Sequence, residues 1–237
     1  MNNEFISVKD FLQGKKNIHF NDSTQPNKKE KTKKTLPKLY TSIESGIYKG
    51  KKLLLPSLQT TRSTKSIVKK CVFDVLRSDL RNKIFIEAFG GSALMAAEAL
   101  SNYALKAYAI ELDLNAYKIA LENAKNIDTN LKVIHANTFE ILPKLIEDSK
   151  EDSKEDSKED IILYLDPPFD IREGFSGIYE KIYNFLEKLK LDALFCIILE
   201  HNSKIKTPDN IANFTKIKEK KFGSTSLSFY QKNILEE

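Results

Sequence analysis

Asp166, Pro167, Pro168 and Phe169 follow directly on the apolar run "IILYL", residues 161–165. A strand needs only a turn former to end, so an acid, two prolines and an aromatic ring in unbroken order suggest a particular chemistry. An aromatic exocyclic amine is a poor nucleophile because its lone pair is delocalised into the ring. Two acceptors aimed at its N–H bonds favour a tetrahedral nitrogen and turn the lone pair toward an electrophile. Asp166 offers a carboxylate, and the carbonyl of Pro167 is the second acceptor. Consecutive prolines fix φ and remove N–H donors, which holds that carbonyl in place. Phe169 adds a face on which a planar base stacks, worth about 1–3 kcal/mol. The plainer reading is a proline-rich turn with a capping aspartate and a buried phenylalanine. Its place after the fourth strand of an alternating strand–helix pattern tells against that.

A second constellation lies upstream. "IFIEAFGGSALMAAEAL" sets Gly90 and Gly91 between a strand and a helix, where a ligand can approach the backbone closely. It is not the dinucleotide fingerprint, which would need further glycines where Ala93 and Leu94 stand. Beyond it the second strand ends in Glu111, an acid placed to accept hydrogen bonds from both hydroxyls of an adenosyl ribose. Asn137, at the end of the third strand, can bond an adenine edge, although asparagine there is also a common turn residue. A glycine turn and a ribose acid without a pyrophosphate fingerprint suggest an adenosyl ligand that lacks a pyrophosphate. S-adenosylmethionine fits.

The elements that must position these residues alternate. Strands are predicted over 83–89, 106–112 and 131–137, and helices over 92–102, 115–127 and 138–146. That rhythm argues for a parallel sheet covered by helices, with the ligand at the carboxyl ends of the strands near the switch point. A helix over 176–189, the strand "ALFCIILE" and an antiparallel hairpin, "FTKIKEKKF" and "SLSFYQK" around "GST", complete it. Ahead of the sheet, residues 40–55 read as a β-hairpin with a lysine-bearing turn, and 62–80 as a helix with Ser63 or Thr64 available as N-cap.

The boundaries follow from composition. Residues 1–39 form a polar, lysine-dense leader that cannot bury enough surface to fold alone, and 40–237 form the domain, with 40–62 as its hairpin element. The DSKE repeat, 147–160, reads as a low-complexity loop without chemistry. At 237 residues and 41% hydrophobic content the chain supports an α/β core of ordinary size. Its longest apolar run, "ALFCIIL", falls well short of the roughly 18 residues of a membrane span. Cys71 and Cys196 lie in apolar periodic segments and read as reduced core thiols of a cytoplasmic protein. The net charge of +5 gives only weak support to a nucleic-acid partner, because lysine, asparagine, isoleucine, phenylalanine and tyrosine are plentiful together, as an AT-rich genome would produce.

"DPPF" resembles the (D/N)-P-P-(F/Y) motif of amino-directed, S-adenosylmethionine-dependent methyltransferases. "SGIYKGKKL", "TRSTKSIVKKCVFDVL", "EAFGGSALMAAEALS", "YAIELD" and "YLDPPF" stand in the order seen in the RsmD family of bacterial 16S rRNA guanine-N2 methyltransferases, a resemblance over about residues 40–235. It implies an α/β fold: a Rossmann-like class I methyltransferase, doubly wound and mostly parallel, with a C-terminal antiparallel hairpin and an N-terminal β-hairpin. It also implies S-adenosylmethionine contacts at Glu87, Phe89, Gly90, Gly91, Glu111 and Asn137, and base contacts at Asp166, Pro167 and Phe169. The family's Arg-Pro-Thr element corresponds to Arg62, Ser63 and Thr64, and its hairpin bears on RNA. Lys49, Lys51, Lys52, Arg62 and Thr64 are therefore the expected RNA contacts. Departures from the family pattern are Ala93 for a glycine, Glu87 for the usual aspartate and Ser63 for the proline; the leader and the DSKE repeat lie outside it.

The expected activity is methylation of a guanine N2 amine in 16S rRNA, within a 30S subunit or its assembly intermediate, by a monomer that needs no metal. Methyl transfer to DNA adenine or a protein glutamine amide is the nearest rival. A non-catalytic nucleic-acid-binding protein on the same fold is another.

Overall fold

A computed structural model of the chain describes residues 39–56, 62–151, 161–168 and 177–233. The leader through residue 38, most of the DSKE repeat and Phe169 lie outside the described residues, as do the side chains of Arg62 and Thr64.

The expected N-terminal hairpin is present, with β1 (Leu39–Ser42) antiparallel to β2 (Lys52–Leu55). Helix α1 (Arg62–Leu76) follows and ends where Arg77 turns to a left-handed φ of 38°. Because α1 begins at Arg62, Ser63 and Thr64 sit within its first turn and not ahead of it as N-caps. The alternating section then runs β3 (Ile84–Ala88), α2 (Leu94–Ser101), β4 (Lys106–Glu111), α3 (Leu114–Ile127), β5 (Leu131–His135) and α4 (Thr138–Glu151). It continues with β6 (Ile161–Leu165), α5 (Ile178–Leu186), β7 (Leu194–Asn202), β8 (Asn210–Ile211), β9 (Phe214–Phe222) and β10 (Thr225–Lys232). Helix α4 runs on into the first residues of the repeat expected as a loop, because Leu145, Ile146 and Ser149 form a buried stripe at helical spacing.

The main sheet has the order β5-β4-β3-β6-β7-β10-β9-β8. The strands from β5 to β7 are parallel, and β10 enters antiparallel between β7 and β9. Strands β3 and β6 are buried at every position, which is why they read as unbroken apolar runs instead of an alternation. On one face, Phe85, Ala107, Ala109, Val133, Ile162, Ile198 and Phe229 pack against Val68, Val72 and Phe73 of α1, α2, and Ala120, Ala124 and Ile127 of α3. Cys196 belongs to this core, and burial pushes its thiol up to about 12. Helices α4 and α5 meet each other edge-on through Phe139 and Phe185, with ring centroids 5.1 Å apart.

The hairpin is built into the same core through Ile43 and Leu53. Its tip lies so close to α2 that a Cβ at Gly46 would stand 1.8 Å from the Ser101 carbonyl oxygen. A buried polar knot sits beneath it. The Lys69 ammonium, 1% exposed, donates to the Ser42 carbonyl at 2.8 Å and lies 3.3 Å from the Glu98 carboxylate and 3.4 Å from Glu44. Glu98 also accepts from the backbone N–H groups of Glu44 and Ser45 at 3.0 Å.

Candidate active site

The strand order reverses between β3 and β6, the position where an open α/β sheet leaves a crevice at its carboxyl edge. Both sequence constellations arrive there. The chain leaves β3 through a turn, Phe89–Ala93, that leads into α2. The Gly90 N–H donates to the Ile110 carbonyl at 2.6 Å, and a Cβ at 90 would meet that of Ala109 at 2.9 Å, so only glycine lets the turn sit flush on β4. Gly91 has φ of +52° and nothing within 4 Å of where a Cβ would stand. The space beside its backbone is open. Phe89 and Ala93 also take left-handed conformations, at φ of 64° and 59°, each at a cost of about 1–2 kcal/mol for a residue with a Cβ. Ala93, the family's missing glycine, thus stands where a glycine would be unstrained.

Glu87 and Glu111 hold this turn from below and beside. Glu87 is 5% exposed, and its carboxylate accepts from the N–H groups of Met95 at 3.3 Å and Ala96 at 2.9 Å. Ala93 gives α2 no side-chain cap, so the buried acid supplies one from the strand beneath and places its charge at the positive end of the helix. Glu111, half-buried at the end of β4, accepts from the Gly91 N–H at 2.7 Å and from the Asp113 N–H at 2.6 Å. Its carboxylate therefore lies against the open side of the glycine turn. Asn137 is differently engaged: its oxygen accepts from the Phe139 N–H at 3.1 Å and its NH₂ donates to Glu140 at 3.0 Å. Each end of the amide has a partner in the first turn of α4, which leaves one N–H and one oxygen lone pair.

Asp166 is reached by one step beyond the Ala88–Leu165 pair of β3 and β6, which sets it next to Phe89. Its N–H points at the Ala88 carbonyl, 3.4 Å away, and its side chain is half-buried. Pro167 is buried and Pro168 half-buried. The acid of the DPPF stretch and the glycine turn thus occupy one crevice. Lys49, Lys51 and Lys52 are exposed on the N-terminal hairpin, with the Lys51 ammonium 4.5 Å over the Tyr48 ring.

Several residues of this region carry no signal strong enough to be singled out from sequence. Leu112, next to Glu111, is 65% exposed and offers an apolar surface beside the acid. Phe139 meets Phe89 edge-on at 5.9 Å and continues the aromatic wall from the turn. Beneath Asp166, the buried Tyr164 hydroxyl donates to the Glu200 carboxylate. Burial first, then the negative charges of Glu200 and Asp166, hold that hydroxyl well above the usual phenol range, so it remains a donor. An apolar residue after a strand-end acid is the one cue that points to Leu112; nothing local marks Glu200. Among the described residues no group of His, Cys, Asp or Glu could hold a metal ion, and no helix is long and apolar enough to cross a membrane.

A mostly parallel sheet reversed by a final antiparallel strand, with a glycine turn at its switch point, is the class I methyltransferase fold. The family described as conserved hypothetical protein 95 matches residues 41–231, and the chain belongs to that family, the RsmD family. The ribosomal RNA small subunit methyltransferase D of Haemophilus influenzae is 28% identical over 80% of this chain and 92% of its own. The protein of that name from Buchnera aphidicola subsp. Baizongia pistaciae is 30% identical, over 80% of this chain and 92% of its own. Among solved structures, the Escherichia coli protein yhhF, described as a methyltransferase, superposes with a TM-score of 0.62 at 24% identity, covering 81% of this chain and 98% of that one.

Proposed function

We propose that this chain is a cytoplasmic, monomeric methyltransferase that moves a methyl group from S-adenosylmethionine to the N2 amine of a guanine in 16S rRNA, within a 30S subunit or its assembly intermediate. The observation that supports the reading most is that Asp166 and Pro167, just past the end of β6, and an open glycine turn flanked by Glu111, just past the end of β3, follow neighbouring strands at the switch point. The ribosomal substrate is supported by the names of the relatives.

The residues present fit the cofactor. The open side of Gly91 admits a ligand to the backbone, Glu111 stands ready to exchange its N–H partners for ribose hydroxyls, and Leu112 and Phe139 offer apolar surface for a purine. When bound, S-adenosylmethionine supplies an electrophilic methyl group. Asp166 and the Pro167 carbonyl accept from the guanine amine and aim its lone pair along the line of attack, and Phe169 stacks the base. Catalysis is then mainly positioning. The proton released from nitrogen passes to Asp166 or to water. Lys49, Lys51 and Lys52, with Arg62 and Thr64, meet the RNA backbone.

Glu111→Ala is expected to weaken S-adenosylmethionine binding by about 1.5–3 kcal/mol, the scale of a lost charge-assisted hydrogen-bond pair. Calorimetry at equal fold stability checks this, and unchanged affinity would move the cofactor elsewhere. The activity itself is tested by transfer of a labelled methyl group to 16S rRNA, free and in 30S particles, followed by nucleoside digestion. Label in N2-methylguanosine supports the reading; no label there, with transfer instead to adenine of DNA or to a protein glutamine amide when these are offered as substrates in parallel, replaces it.

A further inference from the structure

Asn123 of α3 is 1% exposed, and its side-chain amide makes three hydrogen bonds among the described residues, none within its own helix. Its oxygen accepts from the Leu54 N–H at 2.8 Å and its NH₂ donates to the Leu54 carbonyl at 3.0 Å, a strand-like pairing with the edge of β2. The second N–H of the same amide donates to the Ser92 carbonyl at 2.8 Å, inside the glycine turn. The hairpin's other end is fixed at the far end of α2, where the Ile47 N–H donates to the Ser101 carbonyl at 2.9 Å and the Tyr48 N–H to the Ser101 hydroxyl at 2.9 Å. The hairpin therefore lies along the whole of α2, bonded at Ser101 and, through one buried amide, at the turn that starts the helix.

We infer that Asn123 is a positioning residue that couples the hairpin to the glycine turn, so that seating of the hairpin and occupation of the turn favour each other. The inference rests on the reading of that turn as the S-adenosylmethionine seat. A primary amide is the group this junction requires, with one acceptor for the Leu54 N–H and two donors for the Leu54 and Ser92 carbonyls. If the hairpin shifts, the amide loses its Leu54 partners, its orientation toward Ser92 is released, and the Ser92–Ala93 peptide loses its bond to Asn123 while keeping the one from its Ala93 N–H to the Gly90 carbonyl at 2.7 Å. By linkage, a ligand that orders the turn must steady the hairpin by the same factor. The surface expected to meet rRNA is thereby tied to the cofactor without either contacting Asn123.

Calorimetry with S-adenosylmethionine and amide hydrogen exchange on the full chain test this together. Asn123→Ala should bind the cofactor about tenfold more weakly, on the scale of ordinary coupling between sites, although the ligand cannot reach residue 123. In the wild type, saturating S-adenosylmethionine should slow exchange at the Ile47 and Leu54 amides while β9 and β10 exchange as before. That protection should vanish in Asn123→Ala. Wild type that binds the cofactor with no change in hairpin exchange overturns the coupling, whether or not the variant folds, as does a folded variant with undiminished affinity. Wild type without measurable affinity overturns the reading of the turn, and the coupling with it.

Discussion

Asp166→Ala is expected to slow methyl transfer by about 10²–10³, the scale of one preorganised transition-state contact deleted. Asp166 lies one residue past the Ala88–Leu165 pair, beside the start of the glycine turn and at the end of a strand buried at every position. The backbone that carries it is anchored on β3, so truncation removes the acceptor and leaves the scaffold. Cofactor affinity should barely move, because the carboxylate is assigned to the base. Asp166→Asn keeps an acceptor oxygen and should retain measurable turnover. If the asparagine variant is as inactive as the alanine one, the negative charge itself is required, to polarise the amine or remove its proton. Single-turnover rates on the ribosomal substrate separate these outcomes, and an alanine variant as fast as wild type refutes the assignment.

Lys69→Met should lower the unfolding free energy by about 3 kcal/mol, at the low end of the roughly 3–5 kcal/mol for breaking a buried ion pair. Glu98 is also 1% exposed, so removal of Lys69 strands a carboxylate in the core. Its remaining donors, the Glu44 and Ser45 N–H groups and the Ser45 hydroxyl, keep the loss from the upper end of the range. Against a typical domain stability of about 5–15 kcal/mol that is a large fraction. Denaturant titration followed by circular dichroism measures it. Adding Glu98→Gln should recover much of the loss, because no unpaired charge then stays buried. A midpoint unmoved by Lys69→Met would mean that the hairpin is not held by this knot.

The periodic parts of this fold were legible in the sequence. Strands such as "IFIEA" and "IILYL" are covered on both faces and so read as continuous apolar runs, and the glycine pair between β3 and α2 marked the turn. The place of Glu111 at the end of β4 was legible as well, because the apolar run of that strand stops at it.

What stayed hidden depends on long-range contacts. Lys69 and Lys70 look alike on α1, yet one is buried under the hairpin and the other is exposed. Nothing local shows that the Glu87 carboxylate caps α2, whose N-cap Ala93 has no side chain to do so. Asn123 sits in "LENAKN", a polar stretch of α3, and nothing local shows that it turns inward. Asn137 followed its turn chemistry and capped α4. The left-handed Phe89 and Ala93 could not be foreseen either, because their conformation is imposed by the packing of the turn on β4.

The proposed activity is methylation of a guanine N2 amine of 16S rRNA with Asp166 as an acceptor. Nucleoside mass spectrometry of 16S rRNA from cells lacking this chain, and from the same cells given wild type or Asp166→Ala, tests it most directly. N2-methylguanosine is expected to fall when the chain is removed, to return with wild type and to fail to return to the wild-type level with Asp166→Ala expressed at equal abundance. An N2-methylguanosine content identical in all of these strains would contradict it.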